Sequence, residues 1–402
     1  MTATSQAIAQ RAAARRRATP QEQPATALAI DPLLLAAVLA LVALGLVMVF
    51  SASSVAAQST RGDAGYFLKR QLAGAGIGLG ALIGAVSFGY RRLWHFVPVI
   101  LVGSLIALAL VLVPGIGQIA GGARRWLRFA GFSFQPAEVA KFALALCLAR
   151  ALATKREKVR IFTVGFLPPV LITGLVMIFV IAEPDFGTCL VLACLLCAML
   201  FVAGTKLSYL VGVAIVGTPI AYRLIVSSPY RMRRILGFLD PWSDRTGVGY
   251  QLAESLVGLG SGGVTGLGLG DSRQKLFFLP GAHTDFIFAI VGEELGLLGV
   301  GLVIGLFGII LWRGFRAALR ASEPWGAHLA VALTTLIGLQ ALVNMGVALG
   351  LLPTKGLTLP FVSYGGSSLV IMMTAAGLLL SISAGRGGFF RVSNESRGER
   401  KS

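Results

Sequence analysis

The residues best placed to do chemistry in this sequence stand at the ends of long apolar runs. Leu279-Pro280-Gly281-Ala282-His283-Thr284-Asp285 leads straight into Phe286-Ile287-Phe288-Ala289-Ile290. A carboxylate at the edge of a hydrocarbon phase is costly, and such a residue is by default a functional candidate. Partial desolvation raises a carboxyl pKa toward the range a general base needs, so Asp285 is a candidate base. Its position equally suits Thr284 or Asp285 as the cap of the helix that follows, and position alone does not choose between the two. Deeper in that helix, Glu293 and Glu294 lie about 12 Å from Asp285 by helical rise, Glu293 roughly 80° round and Glu294 on the opposite face. Both must face protein or a wet cavity, which favours a structural polar network. Gly292 and Gly296 add a small-xxx-small face for close helix packing.

Three further stretches carry charge or free backbone. Gln135-Pro136-Ala137-Glu138-Val139-Ala140-Lys141 opens a helix with Pro136 at its first position. Glu138 and Lys141 stand at i, i+3 and can pair within it. Glu183-Pro184-Asp185-Phe186-Gly187-Thr188 is an acidic hairpin between two apolar runs; it can bind a divalent cation bridging a pyrophosphate, although two carboxylates on a turn are weak grounds. The stretch Leu352 to Ser368 ends in Ser363-Tyr364-Gly365-Gly366-Ser367-Ser368. Such a Ser- and Gly-rich helix start offers N–H groups to an anion, with Lys355 as an added point charge; simple capping is the plainer use.

The elements that must position these residues are set by composition. The chain has 402 residues, 56% hydrophobic and 13% charged, with a mean hydropathy of +0.81. That is the membrane class. Apolar runs fall at roughly 32–53, 70–89, 93–115, 136–152, 160–182, 185–204, 206–225, 286–312, 327–351 and 363–385. By the length of about 20 residues that a bilayer requires, the fold class is all-α, with about ten transmembrane helices. A long extracytoplasmic loop, about 227–285, joins helices seven and eight. Residues 1–30 read as a disordered basic arm, 31–385 as the transmembrane domain and 386–402 as a tail. The first run is longer than the apolar core of a signal peptide and follows a polar arm, so it reads as a helix rather than a cleaved signal.

Basic residues set the orientation. With the N-terminus inside, inside loops carry Arg91 and Arg92, then Arg150, Lys155, Arg156, Lys158 and Arg160, then Lys206, then Arg313, Arg316 and Arg320. The positive-inside rule then places both termini in the cytoplasm. Two outside loops break the pattern. One holds Arg124, Arg125 and Arg128; the other holds Arg231, Arg233, Arg234, Arg245, Arg273 and Lys275. An anionic ligand such as a lipid pyrophosphate would reward them, as would headgroups or pairing with Asp240, Asp244 and Asp271.

Several classes are excluded. The net charge of +18 is spread between apolar runs, which fits topology and anionic headgroups better than nucleic acid. Cys147, Cys189, Cys194 and Cys197 lie inside apolar runs and behave as small hydrophobes. The glycines from Gly258 to Gly270 resemble dinucleotide fingerprints, but no βαβ unit surrounds them. Tight backbone packed against the membrane surface is the better reading.

Taken together and in this order, the stretches resemble the SEDS family (shape, elongation, division and sporulation), glycosyltransferases that polymerise lipid II into peptidoglycan. The matching residues are Gln135-Pro136-Ala137-Glu138 with Lys141, Pro184-Asp185 with Gly187-Thr188, and Gly249-Tyr250-Gln251. His283-Thr284-Asp285-Phe286-Ile287-Phe288-Ala289 with Glu293-Glu294, Asn344, and Leu352-Pro353 to Ser368 complete them. Gln274-Lys275-Leu276 and Leu352-Pro353-Thr354-Lys355-Gly356 look like the division branch, with the elongation and sporulation branches as alternatives. Gly281 stands where the family usually has Glu.

The resemblance implies a polytopic enzyme of the cytoplasmic membrane, working at the division septum by inverting glycosyl transfer. Asp285 is then the catalytic base, and Arg124, Arg125, Lys275, His283, Lys355, Ser363 and Ser367 bind substrate. Glu138, Lys141, Asp185 and Glu293 shape the cavity. No resident metal is implied, though a divalent cation (Mg2+ or Mn2+) stays a candidate. The implied partners are lipid II, a class B penicillin-binding protein that contacts helices eight and nine and the long loop, and other divisome proteins. A lipid II flippase and a non-catalytic scaffold are the rival readings; no clear inverted repeat of the transporter kind is visible.

Overall fold

The computed structural model of the protein describes residues 30–120, 123–129, 132–155, 158–243, 247, 249–276 and 278–385. The expected basic arm and tail lie outside them except for residue 30, as do Arg156, Asp244 and Arg245. Each of the ten apolar runs coincides with a helix: α1 (Pro32–Arg61), α2 (Tyr66–Phe88), α3 (Tyr90–Leu112), α4 (Pro136–Thr154), α5 (Leu167–Ala182), α6 (Phe186–Val202), α7 (Leu207–Val226), and, after two further helices, α10 (Ile287–Arg320), α11 (Pro324–Ala348) and α12 (Gly366–Ser383). Eight are long and apolar enough to cross a membrane, α5 being counted with the π-helical turn Phe162–Phe166 that precedes it. The other two are α6, which is shorter, and α4, which carries Glu138, Lys141 and Arg150.

The two further helices lie inside the long loop: α8 (Pro229–Leu239) and α9 (Tyr250–Ser261). α8 begins at Pro229, where proline costs nothing because the first N–H has no helical partner. It carries Arg231, Arg233 and Arg234.

The all-α expectation needs one correction. Between α3 and α4 the chain forms a three-stranded antiparallel sheet, β1 (Gly117–Ala120), β2 (Ala123–Phe129) and β3 (Phe132–Phe134), in that order. Arg124, Trp126 and Arg128 alternate with Ala123, Arg125 and Leu127 along β2. That period of two, carried by an aromatic and long side chains, suits a strand. The segment is too short and too basic to register as an apolar run.

The core follows α11. Of its apolar window 83% is buried, against 0% for α7, so α11 is the central post and α7 stands at the edge. α2 packs against α12, and α4 and α10 pack against α11. A buried Lys141–Glu138 ion pair of 2.8 Å joins the first two turns of α4, as the i, i+3 spacing anticipates. The four cysteines are all free, so the Cys194/Cys197 pair forms no bridge.

α10 is broken. Gly296 takes φ 64 and ψ −160 inside it, leaving backbone groups without helical partners. The Gly-rich chain after α9 supplies them. Leu267 N and Gly268 N donate to the carbonyls of Glu293 and Glu294, while Leu297 N and Leu298 N donate to those of Gly263 and Val264. In an apolar interior every such group must be satisfied. The tight backbone packing expected of these glycines is present, and it fills the break in a helix. Gly266 holds φ 82, and a side chain there would collide with the Glu294 carbonyl.

Gly266→Ala meets both the left-handed backbone penalty and the collision, so it is expected to cost at least ~2 kcal/mol. Thermal unfolding of the detergent-solubilised protein measures this; an unchanged midpoint would show that the clasp does not hold the break.

Candidate active site

Asp285 lies at the end of the bundle shared by the C-terminal ends of α5 and α11 and the N-terminal ends of α6, α10 and α12. It is not a helix cap. Phe286 occupies the cap position of α10, and no side chain bonds the free N–H groups there. Thr284 spends its hydroxyl on the Gly281 carbonyl, 3.2 Å away. The segment instead folds as a turn on Gly281, whose φ of 77 favours glycine; the N–H groups of Thr284 and Phe286 both donate to its carbonyl. This gives a backbone reason for glycine at position 281.

Two buried polar side chains fix the turn from behind. Asn344 Nδ2, on α11, donates to the carbonyls of Asp285 (2.8 Å) and Leu357 (2.6 Å). Ser363 Oγ donates to the Thr284 carbonyl at 2.6 Å and accepts from Leu359 N at 2.8 Å. Gln71 on α2 adds a bond from its Nε2 to the Ser363 carbonyl at 3.1 Å. With its backbone held this way, the Asp285 carboxylate has no hydrogen-bond partner among the described residues. Gly356 lies close enough that a Cβ on it would stand 3.1 Å from Asp285 Oδ2. Burial pushes the Asp285 carboxyl up to about 6; Arg234 and Arg125 oppose the shift and Asp185 adds to it.

Cations gather on one flank. Arg125 donates from Nε to the Glu183 carbonyl (2.8 Å) and from Nη2 to the Pro184 carbonyl (2.6 Å). Arg234 on α8 donates to the Thr354 carbonyl at 3.2 Å. Lys355 Nζ sits 4.6 Å from the centre of the Phe186 ring, and Arg231 approaches the same ring at 5.9 Å. Burial pushes the Lys355 ammonium down to about 8, with Arg234 and Arg231 adding and Asp185 opposing. Asp185 caps α6, accepting from Thr188 N and Thr188 Oγ1 at 3.1 and 2.8 Å. Beside it, Glu183 is fully buried, and neither carboxylate oxygen has a hydrogen-bond partner among the described residues. Burial and the neighbouring Asp185 push the Glu183 carboxyl up to about 8. No group of three His, Cys, Asp or Glu comes together among the described residues.

The structure divides the other expected site residues. His283 joins the turn, its ring 4.6 Å from that of Phe67. Arg125 reaches the acidic hairpin, but Arg124 does not accompany it, because neighbours on a strand point to opposite faces. Ser363 and Ser367 use their hydroxyls inside the protein: Ser367 Oγ donates to the Ser133 carbonyl and accepts from Gln135 N, both at 3.2 Å. They hold loops rather than present free donors. Lys275 belongs to a separate buried cluster, where it bonds the Gly270 carbonyl and lies 3.3 Å from Glu294 Oε1. Ser51 Oγ donates to the same carboxylate at 2.6 Å. Glu293 accepts from Ser272 Oγ and from Arg273 N at 2.9 Å. Glu138 pairs with Lys141 and leaves Oε2 without a partner among the described residues.

Arg231 and Arg234 are the charged groups that sequence reasoning did not assign to the site, and Glu183 was read only as part of an acidic hairpin. The arginines were visible only as outside cations, and nothing in the sequence brought α8 to the Lys355 loop. Asn344 stood in the matching stretches without a role.

Known proteins carry the same arrangement of segments. The "Probable peptidoglycan glycosyltransferase FtsW" of Geobacter metallireducens is 47% identical over 353 residues, covering 88% of this chain and 94% of that protein. "Stage V sporulation protein E" of Bacillus subtilis is 42% identical over 353 residues, covering 88% and 96%. Among solved structures, a chain from "Structural coordination of polymerization and crosslinking by a peptidoglycan synthase complex" superposes with a TM-score of 0.74 at 32% identity, covering 89% of this chain and 98% of that one. The rod shape determining protein RodA of Thermus thermophilus gives a TM-score of 0.66 at 32% identity, with 89% and 97% covered. Residues 32–387 match the family described as "Cell cycle protein", and the chain belongs to this FtsW/RodA/SpoVE family of multi-pass membrane proteins.

Proposed function

We propose that this protein is a peptidoglycan glycosyltransferase of the division type, which polymerises lipid II at the outer face of the cytoplasmic membrane with Asp285 as its base. One observation carries the reading. Asp285 is an unbonded, partly buried carboxylate whose pKa is raised to about 6, and it feels the charges of Arg234 and Arg125. In the reaction, Asp285 takes the proton of the acceptor sugar's hydroxyl as that oxygen attacks the donor's anomeric carbon. The bond from that carbon to the pyrophosphate breaks, and undecaprenyl pyrophosphate leaves with the electron pair. Fixed cations stabilise the charge that develops on the leaving group. Arg125, Arg234, Arg231 and Lys355 are placed for this, in preference to Arg124 and Lys275. A leaving group of this kind needs no acid, so one base serves an inverting transfer.

The same reading takes all ten helices as spans, with both termini inside, and the septum as the place of work. The names of the relatives support the chemistry and the division role. The solved peptidoglycan synthase complex supports a partner that crosslinks strands, here a class B penicillin-binding protein.

The flippase reading gains from one feature: α10 is broken and buries Glu293, Glu294 and Lys275 near the break, as transporter helices do. The Gly-rich clasp and the Glu294–Lys275 pair close that region, which favours the polymerase.

Incubating the purified protein with labelled lipid II, with and without the transpeptidase, tests the reading. Wild type is expected to form glycan, and Asp285→Ala to lose at least ~10²-fold of the rate. Identical behaviour of the two would remove Asp285 from the chemistry, and protein-dependent flipping in vesicles without polymer would support the transporter. With Asp285 needed unprotonated and Lys355 charged, the rate should fall below about pH 6 and again above about pH 8; a flat profile across pH 5 to 7, about one unit either side of that lower value, would contradict the assigned base.

Glu183 makes a separate prediction about stability. Its folded pKa of about 8 lies above the model-peptide value of 4.5, so the folded form holds the proton more tightly. The stability this gives is complete below the lower value and is lost as pH rises toward the higher one. Thermal midpoints of wild type should therefore decline between about pH 6 and pH 8, above the range of Asp285, and Glu183→Gln should flatten that decline. Equal slopes in the two proteins would mean that Glu183 is ionised throughout.

A further inference from the structure

The chemistry above leaves unused an aromatic cluster that packs on the turn carrying Asp285. Phe67 is its centre. The rings of Tyr66 and Tyr364 meet it edge-on at 5.2 and 5.1 Å, and the His283 ring lies against it at 4.6 Å. His283 and Tyr364 are themselves 5.7 Å apart, and Tyr364 N donates to the His283 carbonyl at 2.9 Å. The guanidinium groups of Arg61 and Arg70 stand 5.2 and 5.0 Å from the Tyr66 ring. All four rings are half-buried, none sealed in the core. Because His283 is two residues from Asp285, backbone reach puts the cluster's edge within about 7 Å of the carboxylate-bearing residue.

Aromatic residues are common at a membrane boundary, where they spread around the rim. These four instead pack on one another and on the turn that carries Asp285, drawing together the starts of α2 and α12. Their chemistry also differs from that of the cation cluster. Arg125, Arg234 and Lys355 suit a pyrophosphate, whereas rings with a polar tip beside guanidinium groups suit a neutral, hydroxyl-rich ligand with apolar C–H faces. A glycosyl transfer needs both: a donor held by its phosphates and an acceptor held by its sugar.

On the polymerase reading, we propose that Tyr66, Phe67, His283 and Tyr364 form a saccharide subsite that holds the acceptor glycan beside Asp285, with Arg61 and Arg70 engaging its polar edge. The full-length protein is tested in two ways: polymerisation of lipid II, and binding of a lipid-free tetrasaccharide of alternating N-acetylglucosamine and N-acetylmuramic acid, followed by saturation-transfer NMR. Tyr66→Ala is expected to weaken tetrasaccharide binding about tenfold, the order of one lost aromatic contact. It should raise KM and shorten the strands while kcat changes little, and Tyr66→Phe should restore both. Tyr364→Leu, on a different segment, gives the same comparison where Tyr66→Ala does not accumulate. Equal tetrasaccharide affinity in wild type and these variants would overturn the subsite. Failure of wild type to make polymer would instead overturn the polymerase reading, and the binding comparison still decides the subsite.

Discussion

Asn344 is buried to 1% exposure near the end of the central helix α11 and places its amide between two carbonyls, those of Asp285 and Leu357. A side-chain amide has only two N–H donors, and here both go to backbone from different loops. The bond to Asp285 leaves that residue's carboxylate out of the network while fixing the chain that carries it. The bond to Leu357 holds the segment bearing Lys355 and Gly356 against the same helix. Asp285 and the Lys355 segment are thus held from a single point on the most deeply buried of the long helices, which on the proposed reading keeps base and cations within the tolerance that chemistry demands. Ser363 and Gln71 extend the same device, since each satisfies a loop backbone group that would otherwise be buried alone.

The break in α10 obeys the same rule under harsher conditions. A helix interrupted in an apolar setting exposes carbonyls and N–H groups that water cannot reach. The Gly-rich segment answers with four backbone bonds, and Gly262 and Gly266 let it come that close, since a Cβ on either would collide with the α10 backbone. Glu293 and Glu294 lie directly before the break, and their charges are met by Ser272, Arg273 N, Ser51 and Lys275. Removing one partner from such a group leaves an uncompensated charge, which costs far more than the pair contributes when intact.

What the sequence disclosed follows from which signals are local. Long apolar helices announce themselves by length and hydropathy, so all ten runs were legible as helices, eight of them long and apolar enough to cross a membrane, with ends shifted by a few residues as at Tyr66 and Ile287. The pairing of Glu138 with Lys141 was legible because it needs only one helical turn. The sheet between α3 and α4 was not, since its pattern is short and its strands pair only with each other. Lys275 looked like an outside cation because charge is visible in sequence, whereas its buried partner Glu294 lies across a fold that the sequence does not display. Arg124 and Arg125 were indistinguishable as neighbours; a strand separates them by turning one away from the other. Ser363 and Ser367 read as free donors at a helix start, yet their hydroxyls were already committed to loops that arrive from elsewhere in the chain.

The balance around Asp285 shows why these distant arrivals matter. A cation bonded directly to the carboxylate would hold it ionised and lower its basicity, making it a poor acceptor of a hydroxyl proton. A site without cations would leave the departing pyrophosphate unsupported. Here Arg234 and Arg125 are near enough to oppose the upward shift, but their hydrogen bonds go to the carbonyls of Thr354, Glu183 and Pro184. Burial therefore outweighs them, and the carboxyl rises while the positive charge stays within reach of a bound anion. Tethering the guanidinium groups to backbone is what separates the two demands. On the proposed reading, it holds each charge for a ligand's phosphates without bonding the Asp285 carboxylate.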